Sequence, residues 1–442
     1  MMLPKRSARN LANISPLLID PLVGIIGSID DIRRRAGGPQ FHHIASKACD
    51  TSVFVGQANF NHNGGASNNR DIAIAKAIGE GVERYCSAIY DVESLPLFAY
   101  NSSKEACVAP EVFALHSNFQ YNQNGFPFVT FNRDTPVRWC EGIDLSTNLP
   151  IFVPAVMVYS PYSYYQGTGD SPICQNISTG LACHLNKYKS LLSGFLEVIE
   201  RDSFTLTWQA MCSPPQVRLE TLSDANYALI ESIERSPSCK VFLLDITMDT
   251  GVPTIVATLK FENEGPAFAL AASTDLSPEN AVRKALEELA HTYRYCSRVM
   301  GYPELEEEPG FDNIKTQAQH LQFHANSKNL GASNFLFDSD ERKDFDEIKD
   351  LSSGDDKKDL SSLVNKINKM GYQCIGVDLT TADIEQTGLS ITRSVIPGFN
   401  PLFMGHSLRS LDGKRLWSVP QKMGYKGISK ETGDNSFPHP FP

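Results

Sequence analysis

The ten cysteines of this 442-residue chain include no C-x-x-C motif and no paired Cys/His cluster. Cys174 and Cys183 stand too far apart for the usual zinc knuckle. Cysteines scattered along a long chain instead fit a reducing compartment, where they behave as small buried hydrophobes. No run approaches the roughly 18 apolar residues that a membrane span needs. The N-terminus, "MMLPKRSARNLANISPLL", is basic but lacks the apolar stretch and cleavage site of a secretion signal. A soluble cytoplasmic protein with no membrane partner is expected. Positive charge is also short: 40 Lys and Arg face 51 Asp and Glu, a net −11. That counts against a general nucleic-acid binder, which needs a basic footprint, but leaves room for a small phosphate site. The chain has no G-x-x-x-x-G-K-[ST], no G-x-S-x-G and no H-E-x-x-H. The Walker loop, the hydrolase elbow and the zinc-protease helix are thereby excluded.

What is present is an ordinary globular balance, 41% hydrophobic and 21% charged. Length predicts two or three folding units at about 150 residues each. Residues 1–60 read as a lead-in segment with short strands, "VGII" at 23–26 and "SVFVGQ" at 52–57. "NHNGGASNNR" (61–70) reads as a Gly- and Asn-rich loop feeding an amphipathic helix over 71–90. Asp71 is its expected N-cap, and Ile74, Ala77, Ile78 and Val82 form its apolar stripe. Alternating strands follow at 137–160, then a Gly- and Ser-rich loop at 167–184 and a second helix over 189–210. A strand pair lies within 240–272, and Asp275 and Pro278 open a third helix over 279–300. Residues 301–361 carry blocks of charge and few large apolar groups, the pattern of a solvated acidic insertion. Order resumes with a helix at 360–371 and strands at 373–381 and 390–398. The mixture has no strict βαβ rhythm, which predicts an α+β fold of mixed sheets packed with helices. Residues 61–442 are expected to form one catalytic domain ending in a proline-spaced tail, 438–442.

Two helices share a phrase. "GEGVERY" supplies Glu80, Glu83 and Arg84; "LEVIERD" supplies Glu197, Glu200 and Arg201. On a helix, positions i and i+3 share a face, about 5–6 Å apart at Cβ, so each phrase presents two carboxylates together. Taken singly, each is best read as a surface ion pair, Glu80 with Arg84 and Glu197 with Arg201. The repetition weakens that reading. So do Phe195, Leu196, Val198 and Ile199, which make the second helix apolar nearly all round and therefore buried. Buried paired carboxylates need a partner, and a hard divalent cation such as Mg²⁺, arriving with a bound phosphate, satisfies them. "NGGAS" before the first helix, with Gly64, Gly65 and Ser67, could offer backbone N–H groups to such a phosphate, though "NGG" is also an ordinary turn. Arg283, Lys284, Glu287 and Glu288 on the third helix read as a solvated face. His320 and His324 are helically spaced but sit in the polar insertion without a partner acid, and read as surface or structural.

These pieces, in this order, resemble the YcaO-domain family over roughly residue 15 to the end. The phrases are "AKAIGEGVERY", "STGLACH…LLSGFLEVIERDSF", "LLDITMDTGVPTIVA", "DLSPENAVRKALEELAHTYR" and "VDLTTADIEQTGLSITRSVIPGFNPL". The last phrase and the tail "PHPFP" are similar to the azoline-forming branch, the cyclodehydratases of thiazole/oxazole-modified peptides. The resemblance implies the YcaO fold around an ATP/Mg cleft, with ATP and Mg²⁺ as cofactors. It implies that a Cys, Ser or Thr side chain of a ribosomal precursor peptide attacks the preceding amide carbonyl. ATP then phosphorylates the resulting hemiorthoamide oxygen, and loss of phosphate leaves a thiazoline or oxazoline. By resemblance, Glu80, Glu83, Glu197 and Glu200 are metal ligands. Gly64, Gly65, Ser67, Lys76, Glu80, Arg84, Arg201 and Arg283 line the nucleotide. Arg393 and Pro442 are catalytic candidates, Pro442 as a proton acceptor held beside the reacting amide by a stiff proline-spaced tail. Losing "PHPFP" is expected to cripple cyclization while leaving the fold intact.

The sequence departs from the family pattern at three places. Lys76 stands where the family usually has Ser, Lys189 where it usually has a metal-linked Glu, and "NGG" where "GKG" is usual. The lysines either supply charge in place of a ligand or mark a weakened site; for Lys189, in the polar "LNKYK", a surface position is the third reading. The chain begins almost directly on the family region, so a separate E1-like, leader-binding partner is expected, with a flavin dehydrogenase and a second copy of the chain as further candidates. Two rival readings remain: a catalytically weak scaffold that binds peptide and partner, and backbone thioamidation.

Overall fold

The structure is a computed structural model and describes residues 11, 14–34, 38–164, 167–235, 239–261, 265–306, 308–429 and 431–442. The basic stretch at residues 1–10 lies outside the described residues. The described residues form three sheets. The first is antiparallel, in the order β1 (Ile26–Ile32), β2 (His42–Ala48), β3 (His62–Ser67). Helix α1 (Arg70–Ala88) lies across it. The second sheet runs β4 (Leu97–Ala99), β5 (Pro136–Asp144), then β13 (Ile375–Asp378), β14 (Ser390–Val395) and β7 (Leu181–His184), with β6 (Leu149–Pro154) paired to β5. The third runs β11 (Phe268–Thr274), β10 (Thr254–Phe261), β9 (Cys239–Asp245), β8 (Gln216–Val217), β12 (Arg342–Lys343).

Helix α2 (Lys187–Gln209) packs on β14 of one sheet and β11 of another, so it joins them. Its Leu191, Leu192, Phe195, Leu196, Val198 and Ile199 are all buried, as the all-round apolar pattern predicts. Helix α3 (Asp224–Ile233) and helix α4 (Pro278–Val299) cover the third sheet; helix α5 (Gln317–Ala325) packs on α4, and helix α6 (Asp356–Lys369) on α2. The expected α+β class of mixed sheets and helices is what the chain adopts. Among the described residues no helix is long and apolar enough to cross a membrane.

Several local expectations fail for identifiable reasons. "VGII" is not a strand: Asp20 accepts hydrogen bonds from the N–H groups of Leu22 and Val23, so this stretch turns and β1 begins only at Ile26. "SVFVGQ" holds a short helix, Ser52–Val55, closed by Gly56 at φ 73°, a left-handed cap that overrides the β-propensity of its valines. Asn69, not Asp71, caps α1, its side chain accepting from the Asp71 and Ile72 N–H groups.

The "NGGAS" loop is strand β3, paired with β2 in register from His42↔Ser67 to Lys47↔His62. The glycines serve packing. A Cβ on Gly65 would stand 2.3 Å from Ala73 O and 2.7 Å from Lys76 Cβ, so only glycine lets α1 lie this close. The acidic insertion at 301–361 is not solvated throughout. Ile314, Leu321, Phe323, Ala332 and Leu336 are buried, and α5 with the 3₁₀ segment Ser327–Phe337 forms a cover over the C-terminal residues.

Candidate functional site

The two Glu-x-x-Glu-Arg turns stand on α1 and α2, which both pack against β7. On α1, Arg84 reaches both carboxylates: Nη2 lies 3.6 Å from Glu80 Oε1, and Nη1 3.3 Å from Glu83 Oε1. The Gly64 N–H donates to Glu80 Oε2 at 2.8 Å, which takes that group out of any phosphate cradle. On α2, Arg201 Nη2 lies 3.1 Å from Glu197 Oε1 and Nη1 2.8 Å from Glu200 Oε1. Glu197 also accepts from the Gly180 N–H, and Glu200 from the Thr274 N–H at the end of β11. The expected i,i+4 ion pairs therefore exist, but part-buried rather than on an open surface.

Electrostatics join the two turns. Burial, reinforced by Glu197 and Glu80, pushes the Glu83 carboxyl up to about 8 against the pull of Arg84 and Arg393. Burial likewise pushes Glu200 up to about 7, with Arg201 opposing and Glu197 adding. In both, burial outweighs the adjacent arginine. Arg393, on β14, is 4% exposed and donates Nη2 to Ile177 O at 2.9 Å. Its Nε and Nη1 are buried without a hydrogen-bond partner. Burial brings its guanidinium down to about 10, with Glu197 and Glu83 nearby opposing and Arg84 adding.

Helix α4 contributes more than a solvated face. Glu287 has a side chain 1% exposed and accepts three charged or hydroxyl donors from three elements. These are Ser67 Oγ at 2.8 Å, Lys76 Nζ at 2.8 Å and Arg283 Nη1 at 3.1 Å. Lys76 Nζ also donates to Ala66 O. Three residues expected on the nucleotide are thus gathered on one buried carboxylate that the sequence reading placed in solvent. The signal available was its i+4 spacing from Arg283, which also fits an exposed pair. Lys189 pairs with Asp356 at 3.5 Å and joins neither carboxylate pair. Lys284 binds Asp275 at 2.7 Å.

The C-terminal residues thread into the protein. His324 Nε2 donates to Pro438 O at 2.7 Å, His320 Nδ1 to His439 O at 3.0 Å, and Trp208 Nε1 to Phe437 O at 3.1 Å. The rings of His320 and His439 stack at 4.1 Å. Both helix histidines are fully buried, which corrects the surface reading and gives the structural one a specific content. Phe441 is buried against Phe204, and the Arg201 guanidinium lies over its ring at 4.3 Å. The last residues therefore reach the carboxylate pair of α2. Phe441 belongs to a core with Phe204, Trp208, Leu244, Phe268 and Leu402, so removing the tail is expected to disturb the fold as well as the chemistry.

Among the described residues, no three His, Cys, Asp or Glu side chains converge closely enough to hold a metal ion alone. Arg84 and Arg201 bind the carboxylates in pairs. The donor set nevertheless fits Mg²⁺, which takes one or two carboxylates, waters and substrate phosphates rather than a full protein cage. The raised Glu83 and Glu200 favour an added cation, and the orphaned donors of Arg393 favour an added anion.

Residues 64–400 match the sequence profile of a family described as YcaO cyclodehydratase, ATP- and Mg²⁺-binding. Among solved structures, a heterocyclase in complex with substrate and cofactor is similar at 19% identity and a TM-score of 0.80. The match covers 98% of this chain but only 57% of that one. YcaO from Methanopyrus kandleri bound with AMPPCP and Mg²⁺ is similar at 18% identity and a TM-score of 0.66, covering 92% of this chain and 94% of that one. A chain of the E. coli microcin synthetase McbBCD complex with pro-MccB17 bound is similar at 14% identity and a TM-score of 0.61, covering 95% of this chain and 98% of that one.

Proposed function

This chain is a member of the YcaO cyclodehydratase family, and on that premise we propose that it forms thiazoline and oxazoline rings, with ATP and Mg²⁺, in a ribosomal precursor peptide. The observation that carries the reading is Arg201, which binds Glu197 and Glu200 with its edge and stacks on Phe441 with its face. A phosphate-type site and the proline-spaced residues thus share one arginine.

ATP supplies the phosphoryl group that makes an amide oxygen a leaving group, and Mg²⁺ neutralises its charge. Glu80, Glu83, Glu197 and Glu200 are assigned to hold the ion, with Arg84 and Arg201 keeping the carboxylates oriented. Ser67, Lys76 and Arg283, gathered on Glu287, are assigned to the polyphosphate wall. Arg393 presents two free donors to an anion held between the helices. Pro442, next to Phe441, is assigned to the reacting amide. A peptide substrate and partner proteins fit the named complexes of the similar structures. A separate E1-like partner is proposed to bind the leader, in keeping with the multi-protein complex of one similar structure. A flavin dehydrogenase and a second copy of the chain complete the proposed partners.

Reconstitution with ATP, Mg²⁺, partner and precursor tests the reading by mass spectrometry. Loss of one water mass per ring is expected; a gain of sulfur mass instead selects thioamidation. Glu197→Gln is expected to slow ring formation about 100-fold, the scale of removing one group that stabilises transition-state charge. Full activity in that variant overturns the metal assignment.

A further inference from the structure

Arg201 is held from three sides. Two are the carboxylates of Glu197 and Glu200 on its own helix. The third is the flat face of Phe441, whose ring centroid lies 4.3 Å from the guanidinium carbon. That ring has little freedom. It is 1% exposed and packs at 4.5 Å on Phe204, one turn further along α2. Its backbone N–H donates to His439 Nδ1, and His439 Nε2 donates to Phe403 O at 2.7 Å. His320 and His324 fix the carbonyls of His439 and Pro438.

A guanidinium flanked by two carboxylates can tilt toward either. A ring beneath it removes that out-of-plane freedom, because the planar cation is attracted to the aromatic face. We propose that Phe441 is a positioning residue for the nucleotide side of the site: it sets Arg201 where both Glu197 and Glu200 are held, so that affinity for a Mg²⁺–nucleotide depends on the C-terminal tail. The inference rests on the reading that this carboxylate pair faces Mg²⁺ and nucleotide. The consequence runs through geometry: if Arg201 swings away, Glu197 and Glu200 lose the donor that holds them both in place. The effect falls on binding, whereas the role assigned to Pro442 falls on chemistry.

Equilibrium titration of the full chain with AMPPCP, with and without Mg²⁺, separates the cases. Phe441→Leu keeps the apolar burial and removes the aromatic face; Phe441→Met does the same with a different shape, in case the first variant folds poorly. Either is expected to weaken Mg²⁺–AMPPCP binding about fivefold, the size of one cation–π contact of about 1 kcal/mol. In an Arg201→Gln background the same change is expected to cost nothing further. Wild-type affinity in both variants, or an equal loss in the Arg201→Gln background, overturns the inference. Unchanged affinity in Glu200→Gln overturns the reading of the carboxylate pair itself, and this inference with it.

Discussion

Glu83 and Glu200 carry the clearest solution signature at the level of single residues. Their carboxyls lie at about 8 and about 7, against 4.5 in an unperturbed chain. As pH rises from about 4.5 through 8, the native state keeps protons that the unfolded chain has lost. These groups therefore lend less stability the higher the pH in that window. The ligand-free thermal midpoint is expected to fall from about pH 5 to about pH 8, and Glu83→Gln to flatten the upper part of that slope. Mg²⁺ with nucleotide favours the ionised carboxylates, so binding is expected to release protons near neutral pH, seen by calorimetry as a heat that depends on the buffer. Arg393 gives a second test. Two of its donors bond nothing within the protein, so Arg393→Met is expected to cut turnover at least tenfold while moving the melting temperature by only a few degrees. The Glu-x-x-Glu-Arg repeat was legible because the helix period puts its acids on one face. Glu287 was not, because the same spacing describes an exposed pair until Ser67 and Lys76 arrive from elsewhere.

Helix α5 is the element whose role sequence periodicity hid most completely. Its low share of large apolar residues reads as solvated, yet His320 and His324 are the donors for the carbonyls of His439 and Pro438. Replacing His324 by Ala leaves a buried carbonyl without a donor, at a cost of about 1–3 kcal/mol. Hydrogen exchange at residues 436–442 is expected to rise in His324→Ala and to be largely restored in His324→Gln, which keeps an N–H. Burial also holds His320 at about 4 and His324 at about 3. Between those values and about 6.5 the unfolded chain binds protons that the native state refuses, so stability falls as pH drops through that range. Acid loosening of the tail is expected to begin there and to show first as exchange at the last residues. Strand β3 teaches the reverse lesson. "NGGAS" reads as a turn by composition, but strand β2 supplies the ladder that turns its glycines into close-packing positions.

At the scale of the whole molecule, α2 couples the parts. It spans from β14 to β11, carries one carboxylate pair, and ends on Phe204 and Trp208, which receive the tail. Deleting residues 438–442 removes Phe441 from that core, and buried Phe truncations cost about 3–5 kcal/mol. The deletion is therefore expected to lower the melting temperature as well as activity, measured side by side. AMPPCP and Mg²⁺ together are expected to raise the melting temperature more than either alone, because among the described residues no three acidic or His/Cys side chains converge and phosphate oxygens would have to complete the ion's ligands.

The sequence by itself determined the family order of motifs, the mixed α+β class and the two carboxylate turns, since these depend on residue type and on spacing within one element. Only the tertiary structure decided which neighbours those residues meet. It turned the glycine loop into a strand, drew Ser67, Lys76 and Arg283 onto Glu287, and seated the proline-spaced tail under two histidines and beside Arg201. Ser67 and Lys76 reach Glu287 across more than 200 positions, and the two histidines reach the tail across more than 100; no local period encodes such contacts, whereas burial and hydrogen-bond completion across elements do.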